Sequence, residues 1–188
     1  MSRAIQVRVS ESVVRTIHVE DGVQAQLELL PVLAPDRMAE LLVAELEKIG
    51  FIRSGDGATA TRTDLDGLEV TIDLRAATVT VKLGAGSEVE ESIEITTRVA
   101  EETAAIAEAR IRAGAVGELE DRIAQKTEQL RQGVTKKLEK KLGDLRSELD
   151  GAIGKTTVAA LTERAAQLGT IEDVHSDEAG NLTIKVKL

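Results

Sequence analysis

The chain has 188 residues and a formal net charge of −9, an acidic balance that disfavours nucleic acid and anionic membrane as partners. It has no cysteine, tryptophan or tyrosine, which excludes disulfides, zinc–thiolate sites and thiol nucleophiles and removes the rings on which bases stack. Hydrophobic residues make up 42% of it with Phe51 the one aromatic, so the core must be built from Leu, Ile, Val and Ala.

Ile5, Val7 and Val9 alternate with polar neighbours, and Val13, Ile17 and Val19 continue the two-residue period of a half-buried strand. Glu20-Asp21-Gly22 then predicts a hairpin turn, because Asp-Gly tolerates positive φ, with Val23, Ala25, Leu27 and Leu29 as the returning strand. Pro31 and Pro35 end that strand and open a helix. Met38, Leu41, Leu42, Leu46 and Ile49 share one of its faces, and Gly50 closes it. Short strands follow at residues 51–53, 59–63, 68–74 and 78–83, with Asp66-Gly67 as the clearest turn between them.

Gly84-Ala85-Gly86 reads as a hinge. Ser87 with Glu90 is a capping-box signature, yet Ile93, Ile95 and Thr97 alternate, so residues 92–97 fit a strand as well as a helix and both readings stay open. From about Ala100 the pattern is helical, with a break expected where Gly114 and Gly117 lie close together. Beyond it the apolar residues fall three or four apart: Val116, Leu119, Ile123, Leu130, Val134, Leu138, Leu142, Leu145, Leu149, Ile153. A helix over that stretch would be about 57 Å long at 1.5 Å per residue, too long to bury its stripe on a small domain. The expectation is a coiled-coil-like helical hairpin with residues 100–113 as one arm, or pairing with another chain. Gly133, Gly143, Gly151 and Gly154 read as bends, breaks or close helix crossings.

Residues 156–168 form a further helix closed by Gly169, and residues 171–174 and 182–188 a hairpin around 177–181. Leu182, Ile184, Val186 and Leu188 alternate with polar residues, which predicts one buried sheet face. The fold class expected is therefore α+β: antiparallel sheet modules at both ends with a long helical hairpin inserted between them. The segments are 1–86, 87–154 and 155–188, the last packing with the first, with its hairpin joining one sheet.

Chemistry is sparse. Gly154-Lys155-Thr156 fails as a phosphate loop, because Leu149 stands where that motif needs glycine. His175 with Glu172, Asp173 and Asp177 is the best local metal candidate, and a solvated acidic turn is the preferred reading of it. His18 has no local co-ligand. No catalytic, cofactor or metal residues are assigned. The candidate partner-binding face is Leu130, Val134, Leu138, Leu142, Leu145 and Leu149, and the candidate contact for an acidic partner is Lys136, Lys137, Lys140 and Lys141.

Leu42–Gly50 and Leu161–Gly169 echo each other as helices stopped at Gly before a hairpin. The C-terminal unit, with Gly169, Ile171-Glu172-Asp173-Val174 and Leu182-Thr183-Ile184-Lys185-Val186, resembles the end of small accessory proteins of bacterial ternary systems. These are encoded beside MoxR- or FtsH-type AAA+ ATPases and von Willebrand factor A proteins, and Lys48-Ile49-Gly50-Phe51 is of similar character. The resemblance implies an AAA+ ATPase or von Willebrand factor A partner and no catalytic residues. The expected function is a non-enzymatic interaction or adaptor subunit in the cytoplasm, without cofactor, nucleic acid or membrane. The alternatives are a self-assembling structural protein, using the same helices between identical chains, and a metal-dependent hydrolase with dispersed carboxylates.

Overall fold

The computed structural model describes residues 3–176 and 182–187. In chain order these form β1 (Ala4–Gln26), α1 (Pro35–Lys48), β2 (Ile52–Arg53), β3 (Thr59–Thr63), β4 (Leu68–Asp73) and β5 (Thr78–Ala100). A 3₁₀ turn (Glu101–Thr103), α2 (Ala104–Leu168), β6 (Thr170–Ser176) and β7 (Leu182–Lys187) follow. The α+β class holds. One sheet has the order β1-β5-β4-β3-β2, and β6 and β7 make a separate two-stranded sheet. The C-terminal hairpin therefore does not join the larger sheet as expected.

Two compact units interleave along the sequence, Met1–Asp21 with Gly84–Lys136 and Gly22–Leu83 with Lys137–Leu188. In the first, β1 and β5 form a two-stranded ribbon. The Glu101 N–H donates to the Arg3 carbonyl at 3.0 Å at one end and the Leu27 N–H to the Ala77 carbonyl at 2.7 Å at the other, so the strands run antiparallel with odd positions facing odd positions. Side chains alternate across a strand, and the odd positions Val7, Val9, Ile17, Val19 and Val89 are buried together with Ala115, Leu119, Ile123 and Val134 of α2. One ribbon face is thus covered by the first half of the long helix.

Three glycine signals resolve differently from the sequence expectation. No turn forms at Asp21-Gly22, no hinge at Gly84-Ala85-Gly86 and no break at Gly114 or Gly117, because β1, β5 and α2 run through them. The first two glycine sites supply space, not positive φ. A Cβ on Gly22 would lie 2.7 Å from the Val81 carbonyl oxygen, and one on Gly86 would lie 2.8 Å from the His18 ring, which crosses it. Residues 92–97, left open above, are strand.

In the second unit α1 is fixed by Pro35 at its start and by Gly50 (φ 89°) at its end. There the N–H groups of Gly50 and Phe51 donate to the carbonyls of Glu47 and Leu46, both at 3.1 Å, the paired bonds that close a helix through a left-handed glycine. Gly67 (φ 80°) makes the β3–β4 turn, where Asp64 Oδ1 accepts the N–H groups of Asp66 and Leu68. Val70 pairs with Val81 and Ile72 with Val79 across β4 and β5. These residues, with Leu42, Leu46 and Phe51, are the core under α1.

The expected helical hairpin is instead one uninterrupted helix. Its glycines 114, 117, 133, 143, 151 and 154 face open space and mark no crossing. Each costs up to about 1 kcal/mol relative to alanine, and the helix tolerates them because packing on the strands, not propensity, holds it. The buried stripe also enters one residue earlier than expected, since Ala115 is fully buried and Val116 is 43% exposed. At the C-terminal end β6 and β7 pair antiparallel, with an irregularity between Ile171 and Asp173. A Cβ on Gly169 would collide with the Lys187 carbonyl oxygen. The expected 177–181 turn and Leu188 lie outside the described residues.

Candidate interaction surface

The apolar stripe of α2 is not a free surface. Val134, Leu138, Leu145 and Leu149 are only 3%, 4%, 4% and 5% exposed, and Leu130 and Leu142 are half-buried. Leu142, Leu145 and Leu149 border a groove of about 560 Å³ against Val23, Leu27 and Val81 of the sheet. Val134, Leu138, Leu145 and Leu149 are therefore core positions and not a docking face, whereas Leu130 and Leu142 keep part of their surface open.

The basic run divides in the same way. Lys136, Lys137 and Lys140 are exposed, whereas Lys141 places its Nζ 2.6 Å from both Asp64 Oδ2 and Asp66 Oδ2. Burial pushes the Asp64 carboxyl up, but the Lys141 hydrogen bond and the N–H groups of Leu68 and Asp66 outweigh it and hold it below the usual carboxylate range. Hydrogen bonds to Asp64 and then Asp66 raise the Lys141 ammonium above its usual value. Two further ion pairs tie the same half of α2 down. Arg62 Nη1 donates to Glu148 Oε2 at 2.7 Å and to the Ile49 carbonyl at 2.9 Å, with its guanidinium 4.8 Å from the Phe51 ring centre. Arg37 bonds Glu163 at 3.0 Å. Partners separated by 77, 86 and 126 residues leave no local signal in the sequence.

Lys141→Met is expected to lower the melting temperature in a pH-dependent way. The depressed Asp64 contributes stability above its unfolded value of about 4 and loses it as pH falls through the lower folded value. The raised Lys141 contributes below about 10.4 and loses it at higher pH. The gap between wild-type and variant melting curves should be widest from about pH 5 to 9 and should close on acidification below about pH 4. A gap independent of pH would remove the ion pair as its cause.

The histidines do not converge. His18 lies across Gly86 and His175 is exposed on β6. Asp177, its suggested companion, lies outside the described residues, and among those described no three His, Asp or Glu side chains are placed to hold a metal.

What remains open is the C-terminal end of the second unit. The outer edges of β6 and β7 meet no other strand among the described residues, and a two-stranded hairpin alone is marginal in water. Its apolar positions Ile171, Leu182, Ile184 and Val186 are only half-buried. Leu168 just before it is 61% exposed and Val174 within it 45%. The strict alternation of the last strand predicts a buried face, but it carries no information on how completely that face is covered.

No curated protein and no solved structure matches the chain. Among the described residues no helix is long and apolar enough to cross a membrane. One family model, FtsH ternary system domain X5, matches residues 1–188. Matched over its whole length, the chain belongs to the FtsH ternary system domain X5 family and is associated with an FtsH-type system.

Proposed function

We propose that the protein is a non-enzymatic accessory subunit acting in the cytoplasm as an adaptor for an AAA+ ATPase of the FtsH or MoxR type, alongside a von Willebrand factor A protein. The family match over residues 1–188 carries this reading. Leu168, Val174 and the half-covered face of β6 and β7 support it, since apolar side chains left open beside unpaired strand edges suit a second protein.

The test uses the full chain and the purified AAA+ ATPase of its own system. Wild type should form a complex in titration calorimetry, and Leu168→Asp combined with Val174→Asp should weaken it by at least about 100-fold, roughly 2.7 kcal/mol. The melting temperature should hardly move, because both side chains are already exposed. Absence of a complex with the wild type, or equal affinity for the variant, would overturn the proposal.

A further inference from the structure

β4 covers β5 only from Thr78 to Leu83, while β5 continues to Ala100. Along residues 84–100 its side away from β1 therefore meets no strand among the described residues. Because Glu101 bonds to Arg3, odd positions of β5 are the ones hydrogen-bonded to β1. The N–H and C=O groups of Glu88, Glu90, Ser92, Glu94, Thr96 and Arg98 point to the open side. A long uncovered edge of this kind is a template for strand addition, and proteins normally blunt or cover it.

The same side of the ribbon carries two grooves between β5 and α2. One, of about 570 Å³, lies between Val89 and the helix residues Lys126, Gln129 and Leu130, with Ile17 of β1 also lining it. The other, of about 450 Å³, lies between Ile95, Thr97 and Val99 and the helix residues Ile106, Ala107 and Ile111. Three ion pairs and one hydrogen bond fix which flank of α2 this is. Arg122 and Lys126 reach Glu91 on β5, while Arg112 reaches Glu11 and Thr135 reaches Asp21 on β1. Ile106 is 75% exposed in its groove, a large apolar side chain without cover.

We propose that the open edge of β5 pairs with the same edge of a second copy of this chain, about a twofold axis at Ile93, so that Ile106 of each copy enters the groove beside Val89 and Leu130 of the other. Three features select a second copy over an unrelated strand. First, this register sets Glu88 opposite Arg98 and Glu90 opposite Thr96, with no like charges directly facing, as cross-strand pairs require. Second, it brings Val89 opposite Thr97, so the two grooves of one copy meet the two of the other in exchanged order. Third, the spacing closes. The axis is perpendicular to the sheet, so both helices lie on one face, displaced by two strands or about 9.6 Å, and packed helices stand 8–10 Å apart. One helix on two strands becomes two helices on four.

The chain has no cysteine, so a single introduced thiol reads the register directly. At the axis the facing Cα atoms of a non-hydrogen-bonded pair are about 4.5 Å apart, within disulfide range. Ile93→Cys should cross-link into a covalent dimer under mild oxidation. Thr97→Cys, about 26 Å from its counterpart, should not. Wild type should sediment at twice the chain mass of 20.1 kDa. Ser92→Pro, which removes an outward N–H without touching the bonds to β1, and Ile106→Glu should each raise the dimer dissociation constant at least about 100-fold. The proposal is overturned by a wild type that stays monomeric at about 100 μM, including one that binds only its ATPase partner. It is equally overturned by equal cross-linking at positions 93 and 97, or by a dimer that survives both other variants. The cysteine pair decides the matter even where the proline variant fails to fold.

Discussion

Alanine at both Leu138 and Leu145 should unfold the chain. Each side chain is 4% exposed, and each Leu→Ala change at a buried site costs about 2–5 kcal/mol in lost transfer energy and cavity formation. The sites are seven residues apart on one helix, about 10.5 Å, far enough for the losses to add. The sum of about 4–10 kcal/mol approaches the whole stability of an ordinary domain, about 5–15 kcal/mol. Urea denaturation followed by circular dichroism should show intermediate midpoints for the single variants and little or no folded baseline for the double. Were these residues a docking face, the midpoint would hold and only partner binding would fall. An unchanged midpoint would thus overturn the assignment of this stripe to the core.

Gly169→Ala should release the C-terminal hairpin while leaving the rest of the chain folded. The added methyl has no room, because it meets the Lys187 carbonyl oxygen and lies 2.9 Å from Val186 Cγ1. Backbone is the obstacle, so relief requires β7 to move. Overpacking of this kind costs about 1–3 kcal/mol, enough to undo a two-stranded hairpin. Hydrogen exchange should show β6 and β7 amides losing protection at least tenfold while β3 and β4 amides keep theirs. Unchanged protection in β6 and β7 would mean that the strand absorbs the methyl.

Local grammar was readable wherever one residue decides a backbone conformation. Pro35 and Gly50 bound α1, and Gly67 makes the β3–β4 turn, because each acts within a few residues. Glycine is ambiguous elsewhere, since it supplies either positive φ or vacant space and the sequence does not say which. Gly22 and Gly86 supply space beneath Val81 and His18, where the sequence alone suggests a turn and a hinge. Periodicity gave the inward face of α2 from Leu119 to Leu149, but not what covers it. The covering strands β1 and β5 come from distant sequence. Ala115 carries no such signal beside Val116, because alanine is too weakly apolar to mark a stripe. Lys141 is indistinguishable in the sequence from its three exposed neighbours, because Asp64 and Asp66 are remote in the chain.

Asp21 meets Thr135 across 114 residues, and Arg37 meets Glu163 across 126. Such separations make the fold one of high contact order, with slow closure expected. They also impose a schedule during synthesis. At about 5–20 residues per second, roughly 6–23 s pass between the appearance of Asp21 and that of Thr135. Through that interval Val7, Val9, Ile17 and Val19 have no helix to cover them, and for most of it β1 has no β5 to bond. The first strand is therefore the segment left longest without cover during synthesis, and its apolar face and bare edge are open to mispairing until the helix emerges.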